Sequence, residues 1–101
     1  MENTKKLKLP KQVKIAGLTY EIQLKDDIHQ KEGLSGDARY TEQVIRIQSR
    51  DYHHETVEQT FVHEVVHVLD HIYLNDKLTE DQVDALANGI YAFLKDNNLL
   101  K

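Results

Sequence analysis

Residues 55–74 read ETVEQTFVHEVVHVLDHIYL, and this stretch does most to decide the fold of the 101-residue chain. Its apolar residues recur at intervals of three and four, so they fill one broad arc of a helical wheel. No proline interrupts the stretch. The pattern therefore predicts an amphipathic helix. Its opposite arc holds the polar residues His63, Glu64, His67, Asp70 and His71.

Two pairs of short segments before this helix alternate between apolar and polar residues. Residues 13–15 and 20–24 form the first pair, and residues 38–40 and 44–48 form the second. Period-two alternation interrupted by a turn is typical of a β-hairpin with one buried face. The sequence therefore predicts a small antiparallel or mixed sheet of three or four strands packed on the helix.

A second helix follows the first after a short reversal. Thr79 and Gln82 have the spacing of a capping box, and apolar residues then recur at helical intervals to about residue 96. Because the strands come first and the two helices follow, the predicted fold class is α+β. The chain is long enough for one domain, which we place at residues 10–101 after a flexible basic tail, residues 1–9.

Composition limits the classes of function. Hydrophobic residues make up 40% of the chain and charged residues 30%, with a net charge of −4, as is typical of a globular protein. There is no cysteine, and no apolar run is long enough to span a bilayer. We therefore expect a cytoplasmic protein without a membrane partner. Five lysines among the first 14 residues come without a nucleic-acid-binding motif, so a nucleic-acid partner is not expected.

The chemistry is carried by His63-Glu64-Val65-Val66-His67, an HExxH motif inside the first predicted helix. Residues at i and i+4 lie on one helix face about 6 Å apart, so His63 and His67 can bind one zinc ion together. Glu64 is rotated about 100° from His63. From there it can act as general base on a zinc-activated water. The motif predicts one Zn²⁺ per chain.

A third metal ligand must come from outside the motif, and without cysteine it must be His, Asp or Glu. The best candidates are carboxylates of the second helix, which Glu80 opens and where Asp84 follows one turn later. We favour Glu80 because its side chain reaches further. His71 is less suitable, because three imidazoles in line along one helix span about 12 Å. Asp70 lies near the His63 stripe, where we expect it to orient a ligand histidine.

HExxH followed by Glu80-x-x-x-Asp84 resembles the pattern of the gluzincins. The size and the order of elements resemble the minigluzincins and the ImmA/IrrE-type peptidases of phages and mobile elements. The resemblance covers about residues 10–96. It implies that the domain is a minimal zinc metalloendopeptidase, a hydrolase in which Glu80 is the third zinc ligand and Glu64 is the general base for peptide-bond hydrolysis.

The resemblance also implies how the site is supported and how it binds substrate. Asp84 is implied to hydrogen-bond one of the ligand histidines. An edge strand of the sheet is implied to hold a peptide or protein substrate in extended form through main-chain hydrogen bonds. We expect that edge strand to consist of Val44, Ile45, Arg46, Ile47 and Gln48.

Peptide hydrolysis also requires a group that stabilises the tetrahedral oxyanion. The candidate on the same helical stripe as Glu80 is Tyr91. Residue type alone leaves further candidates open near either end of the scaffold, and these are Tyr40, Tyr52, His53 and His54.

A non-enzymatic function is the alternative. The chain would then be a zinc-binding regulatory or interaction protein of a phage or mobile element, with little or no peptidase activity. The presence of Glu64 favours the enzyme, because hydrolysis needs a general base and metal binding does not.

Overall fold

The computed structural model describes residues 9–99, which form a four-stranded sheet and three helices. In chain order the elements are β1 (Gln12–Ile15), β2 (Leu18–Lys25), α1 (Ile28–Glu32), β3 (Gly36–Arg39), β4 (Val44–Gln48), α2 (His54–Tyr73) and α3 (Glu80–Asp96). The predicted α+β class is confirmed. Residues 1–8 of the predicted tail lie outside the described residues. The short helix α1 is not apparent from the sequence pattern.

The sheet is mixed. β1 and β2 form one antiparallel hairpin and β3 and β4 another, as the alternation predicts, whereas β2 and β4 pair in parallel. The strand order is β1-β2-β4-β3. After β2 the chain passes through α1 into β3 and then turns back into β4. Strand β4 lies between β2 and β3. Within the described residues, β1 and β3 are therefore the two edges of the sheet.

The turn between β1 and β2 consists of Ala16 and Gly17, whose φ angles are 54° and 82°. A two-residue turn with positive φ at both positions matches the right-handed twist of antiparallel strands. Gly17 adopts this conformation without steric cost. The resulting register pairs Ile15 with Leu18, and it leaves Tyr20 on the buried face of β2.

The core lies between the sheet and α2. Ile45 and Ile47 alternate with polar residues along β4, and both are fully buried, as are Val57 and Val68 of α2. Each buried aliphatic side chain of this size contributes about 1.5–3 kcal/mol through the hydrophobic effect. In the part of the chain that the structure describes, no helix is both long and apolar enough to cross a membrane.

Helix α3 begins with the predicted capping box, in which Thr79 and Gln82 each bond the backbone N–H of the other. It packs against α2 through Val83 and Ala87, each only 1% exposed. Leu94 is half-buried against the same core, but half of the predicted apolar face of α3 stays exposed. The large apolar residues of α3 that remain exposed are Leu86, Ile90 and Phe93.

Candidate metal centre and active-site cleft

The two histidines of the motif project from the middle of α2 on one face. His63 and His67 are one helical turn apart, and their ring centroids are 4.9 Å apart. The helix runs without interruption from His54 to Tyr73. Its rigid backbone therefore fixes the spacing of the two imidazoles before any ligand binds.

Glu80 brings a carboxylate to these two histidines from the first turn of α3. Its Oε2 lies 3.0 Å from Nε2 of His63, and its Oε1 lies 3.4 Å from Nε2 of His67. The capping box fixes the residue at which α3 begins, and hence the position of Glu80. One donor atom from each of the three residues lies within 4.8 Å of the others.

These three side chains fit a zinc ion by the chemistry of their donor atoms, because two imidazole nitrogens and one carboxylate oxygen are a common zinc-binding set. His63 lies between two carboxylates. Its Nε2 faces Glu80, and its Nδ1 lies 3.0 Å from Oδ1 of Asp84. A neutral imidazole carries only one proton, so a ring protonated on Nδ1 would present the unprotonated Nε2 that a metal between His63 and Glu80 requires.

Asp84 lies one turn after Glu80, and its Oδ1 is 3.0 Å from Nδ1 of the His63 ring. A carboxylate in this position orients the imidazole and keeps Nε2 free of a proton for a metal. The role predicted for Asp84 stays a prediction, and the short distance to His63 is compatible with it.

Asp70 does not orient a histidine, so its predicted role is wrong. Its side chain is buried, and its Oδ1 accepts a hydrogen bond from the backbone N–H of Leu78 at 3.2 Å. Its backbone oxygen accepts from the N–H groups of Leu74 and Asp76. Asp70 thus holds together the reversal between α2 and α3, which in turn places Glu80.

Glu64 is buried, with 6% of its surface exposed, and it lines the same cleft as the two histidines. Burial first, and then the negative charges of Asp37 and Glu80, raise the pKa of the Glu64 carboxyl to about 8. A metal cation held nearby would lower this pKa again, because it stabilises the ionised carboxylate. A metal bound in this cleft would therefore make the ionised, proton-accepting form of Glu64 more stable.

The cleft is open, has a volume of about 590 Å³, and runs between β3 on one side and α2 and α3 on the other. Besides the two histidines, Glu64, Glu80 and Asp84, the cleft is lined by residues that the motif alone does not reveal. Helix α2 contributes Thr56, Gln59 and Thr60, and α3 contributes Asn88. The strand β3 and its flanks contribute Ser35, Gly36, Asp37, Ala38 and Tyr40.

The predicted edge strand Val44–Gln48 is wrong. This strand is β4, which pairs with β2 on one side and β3 on the other and lies inside the sheet. Its polar residues are used internally. Arg46 is bound by Asp37 and Glu32, and Gln48 is buried with its amide bonded to the backbone. The edge beside the cleft is β3.

The register shows which backbone groups of β3 face the free edge. Gln48 N–H donates to the carbonyl of Ser35, so these two residues form a hydrogen-bonded pair. Hydrogen-bonded and non-bonded pairs alternate along an antiparallel ladder. Gly36 and Ala38, opposite Ile47 and Ile45, are therefore non-bonded. Their N–H and C=O groups point away from β4, towards the cleft side.

Gly36 allows β3 to approach α2 closely. A Cβ at this position would lie 2.7 Å from Cγ2 of Thr60, 2.9 Å from the carbonyl oxygen of Arg46 and 3.6 Å from Oε2 of Glu64. A glycine in the interior of a strand commonly marks such a close approach. That glycine is a signal in the sequence that could have identified β3 as the strand beside Glu64.

Tyr91 does not lie in the cleft, so its predicted role in oxyanion stabilisation is wrong. Its hydroxyl donates to Oε1 of the buried Glu58 at 2.8 Å. Tyr40, a further candidate for that role, does line the cleft, with its hydroxyl 3.5 Å from the carbonyl oxygen of His67 and its ring stacked on His71. The cleft lining does not include the remaining candidates, Tyr52, His53 and His54.

No family model, curated protein or solved structure matches this chain.

Proposed function

We propose that this chain is a zinc-dependent peptidase that hydrolyses peptide bonds in extended peptide segments. The observation that carries the proposal is the convergence of His63, His67 and Glu80 in an open cleft with Glu64 beside them. The resemblance of the motif to gluzincins supports the same function. The absence of cysteine accords with a cytoplasmic location, where thiol and disulfide chemistry does not stabilise folds.

His63, His67 and Glu80 would hold the zinc ion. When bound, zinc supplies a Lewis acid that polarises the substrate carbonyl and makes water more acidic. Glu64 would accept a proton from the attacking water on its carboxylate. The water oxygen adds to the carbonyl carbon, the C–N bond breaks, and Glu64 returns the proton to the leaving amine nitrogen. The second proton of the water leaves the new carboxylic acid and is taken up by the amine at neutral pH. The products are a carboxylate and an ammonium group, so the reaction needs no further co-reactant.

The free edge of β3 would hold the substrate. An extended peptide can pair with the outward N–H and C=O groups of Gly36 and Ala38 and add a strand to the sheet. The small side chains at both positions leave space for the peptide beside α2. Such pairing would bring a main-chain carbonyl close to Glu64, because β3 runs beside that residue.

The experiment begins with protein purified without chelator. We expect elemental analysis to find one zinc per chain and a peptide library to be cleaved. Glu64→Gln should keep the zinc and the fold but lower the rate by about 10²–10⁴-fold, because an amide cannot accept the proton. Glu55→Gln is the matched control, since Glu55 is an exposed residue of α2 outside the cleft.

Three outcomes separate the possible functions. Full activity of Glu64→Gln would exclude Glu64 as the base. Zinc binding without cleavage of any peptide would favour a zinc-binding regulatory protein instead of an enzyme. Absence of zinc from the wild-type protein and from protein reconstituted with zinc would exclude both.

A further inference from the structure

The outer side of the two long helices carries a continuous apolar surface, which we call the α2–α3 face. Between the helices it forms an open groove of about 310 Å³. The exposed fractions of its large side chains range from 37% to 66%. These side chains are Leu69, Tyr73 and Leu74 of α2 and its C-terminal end and Leu86, Ile90 and Phe93 of α3.

The sequence of α3 explains why this surface exists. Apolar residues occur on two neighbouring stripes of the helix, and the core covers the stripe of Val83, Ala87 and Leu94. The second stripe, which contains Leu86, Ile90 and Phe93, faces outward. A surface helix of a monomer normally has a polar outer face. The apolar arc of α3 is therefore wider than the part of it that packs into the core of one chain.

The size of the α2–α3 face matches that of an interface between proteins. The exposed fractions correspond to roughly 500 Å² of apolar side-chain surface, in the upper half of the roughly 300–600 Å² of the largest patch on a typical monomer. Each partner in a stable complex buries roughly 800 Å², of which about 65% is apolar in homodimers, so the apolar area of the face is close to what one partner supplies. We propose that a second copy of this chain docks on the α2–α3 face, so that the protein is a symmetric dimer.

Two properties favour an identical partner. The six side chains are uncharged, so two chains of the same net charge, −4, can bring these faces together without juxtaposing like charges. The face also offers both halves of a contact, because Phe93, with 59% of its surface exposed, lies about one helical turn after Ile90, which lines the apolar groove. In a twofold interface every contact occurs twice: if one residue of the first copy contacts a second residue of the other copy, the reverse contact is also made. Phe93 of each copy can then enter the groove of the other.

The dimer does not require the metal site. Glu80 and Asp84 line the cleft, and none of the six side chains of the α2–α3 face does. Both active-site clefts would stay open in the dimer. The proposal can therefore be tested independently of zinc and of peptidase activity.

Sedimentation equilibrium of the full chain tests the proposal. We expect the wild-type protein to reach twice the mass of one chain as its concentration rises. Ile90→Glu places a charge in the centre of the face and should weaken the dimer about 30-fold or more. Leu24→Glu is the matched control, because Leu24 is an equally exposed apolar residue on β2, and it should leave the dimer unchanged.

Far-UV circular dichroism establishes whether each variant is folded. If Ile90→Glu does not fold, Phe93→Ser replaces it as the variant that should weaken the dimer. A wild-type protein that keeps the mass of one chain at every concentration would overturn the proposal. The face would then be covered by residues outside the described part of the chain or by a different protein. A dimer that is equally tight in wild type, Ile90→Glu and Phe93→Ser would also overturn it, since the interface would lie elsewhere.

Discussion

Oδ1 of Asp84 lies 3.0 Å from Nδ1 of His63, on the opposite side of the imidazole from the nitrogen that faces Glu80. A proton on Nδ1 would be stabilised by this carboxylate and would leave Nε2 unprotonated. The two carboxylates of α3 therefore have different relationships to a metal. Glu80 would bind it directly, and Asp84 would act through His63.

Zinc affinity should distinguish these two carboxylates. Glu80→Ala removes a direct bond and should weaken zinc binding more than any other α3 variant. Asp84→Ala should cost about 10–100-fold in affinity, as is usual when a residue that orients a ligand is lost. Asp81→Ala, an exposed neighbour outside the cleft, serves as the control. Competition with a zinc-binding dye measures all three, and a larger loss for Asp84→Ala than for Glu80→Ala would reverse the assignment.

Chelation of zinc should lower the melting temperature of the wild-type protein. A ligand that binds only the folded state at about 100 times its Kd stabilises that state by about 2.7 kcal/mol. For a domain of this size the corresponding change in Tm is on the order of 10–20 °C. The double variant His63→Ala/His67→Ala should show the same Tm with and without chelator. An unchanged wild-type Tm under excess chelator would argue against a structural contribution from bound metal.

Ala38→Pro should impair substrate binding without disrupting the sheet. Proline removes the backbone N–H of residue 38, which points away from β4 and which we assign to the substrate. Because β4 does not use this N–H, the zinc content and Tm should change little. We expect kcat/KM for peptide cleavage to fall by about 10-fold, the effect of losing one hydrogen bond of about 1.4 kcal/mol. Unchanged cleavage by a zinc-loaded variant would exclude β3 as the substrate-binding strand.

The features that local spacing determines could be predicted from the sequence. The i, i+4 spacing in HExxH places two histidines on one helix face, and the Thr79–Gln82 capping box fixes where α3 begins. Each depends on residues within one or two helical turns. The approach of Glu80 to His63 follows from these two local features, once the short reversal between the helices is given.

The features that depend on non-local pairing could not be predicted. The alternation in β4 shows that one face is buried, but it does not indicate whether the strand lies at an edge or inside the sheet. That depends on the parallel pairing with β2. In the same way, the position of Tyr91 on α3 is compatible with several environments until Glu58, a buried partner on α2, is known. Exposure of the second apolar stripe of α3 also depends on how much of it α2 covers.

Asp37→Asn should reduce stability at neutral pH but not at low pH. Hydrogen bonds from Arg46 lower the pKa of Asp37 below its usual 3.8. The pKa of Asp37 is lower in the folded state than in the unfolded state. The stabilisation by the ionised Asp37 is therefore complete above pH 3.8 and is lost as the pH falls through the folded-state pKa. We expect a loss of about 1 kcal/mol at pH 7, since solvent partly screens the pair.

Urea unfolding measures the difference in the free energy of unfolding between wild type and Asp37→Asn. We would use the zinc-loaded proteins at pH 7 and the chelated proteins from pH 7 to 3. Glu42→Gln is the control, because Glu42 is an exposed carboxylate 3.6 Å from Arg39 and should contribute almost nothing. A difference between wild type and Asp37→Asn that stays constant down to pH 3 would show that the ionised carboxylate is not what stabilises the fold.

The last prediction concerns the contact between β3 and α2. Gly36→Ala introduces a Cβ 2.7 Å from Cγ2 of Thr60 and 2.9 Å from the carbonyl oxygen of Arg46. Since the second clash involves backbone, β3 must move, at a cost of about 1–3 kcal/mol. Thr60→Ser removes Cγ2 and keeps the hydroxyl that donates to the Thr56 carbonyl. In that background the cost of Gly36→Ala should be smaller but not zero. Equal costs in both backgrounds, measured by urea unfolding, would show that the helix and the edge strand are not in the tight contact that brings β3 to Glu64.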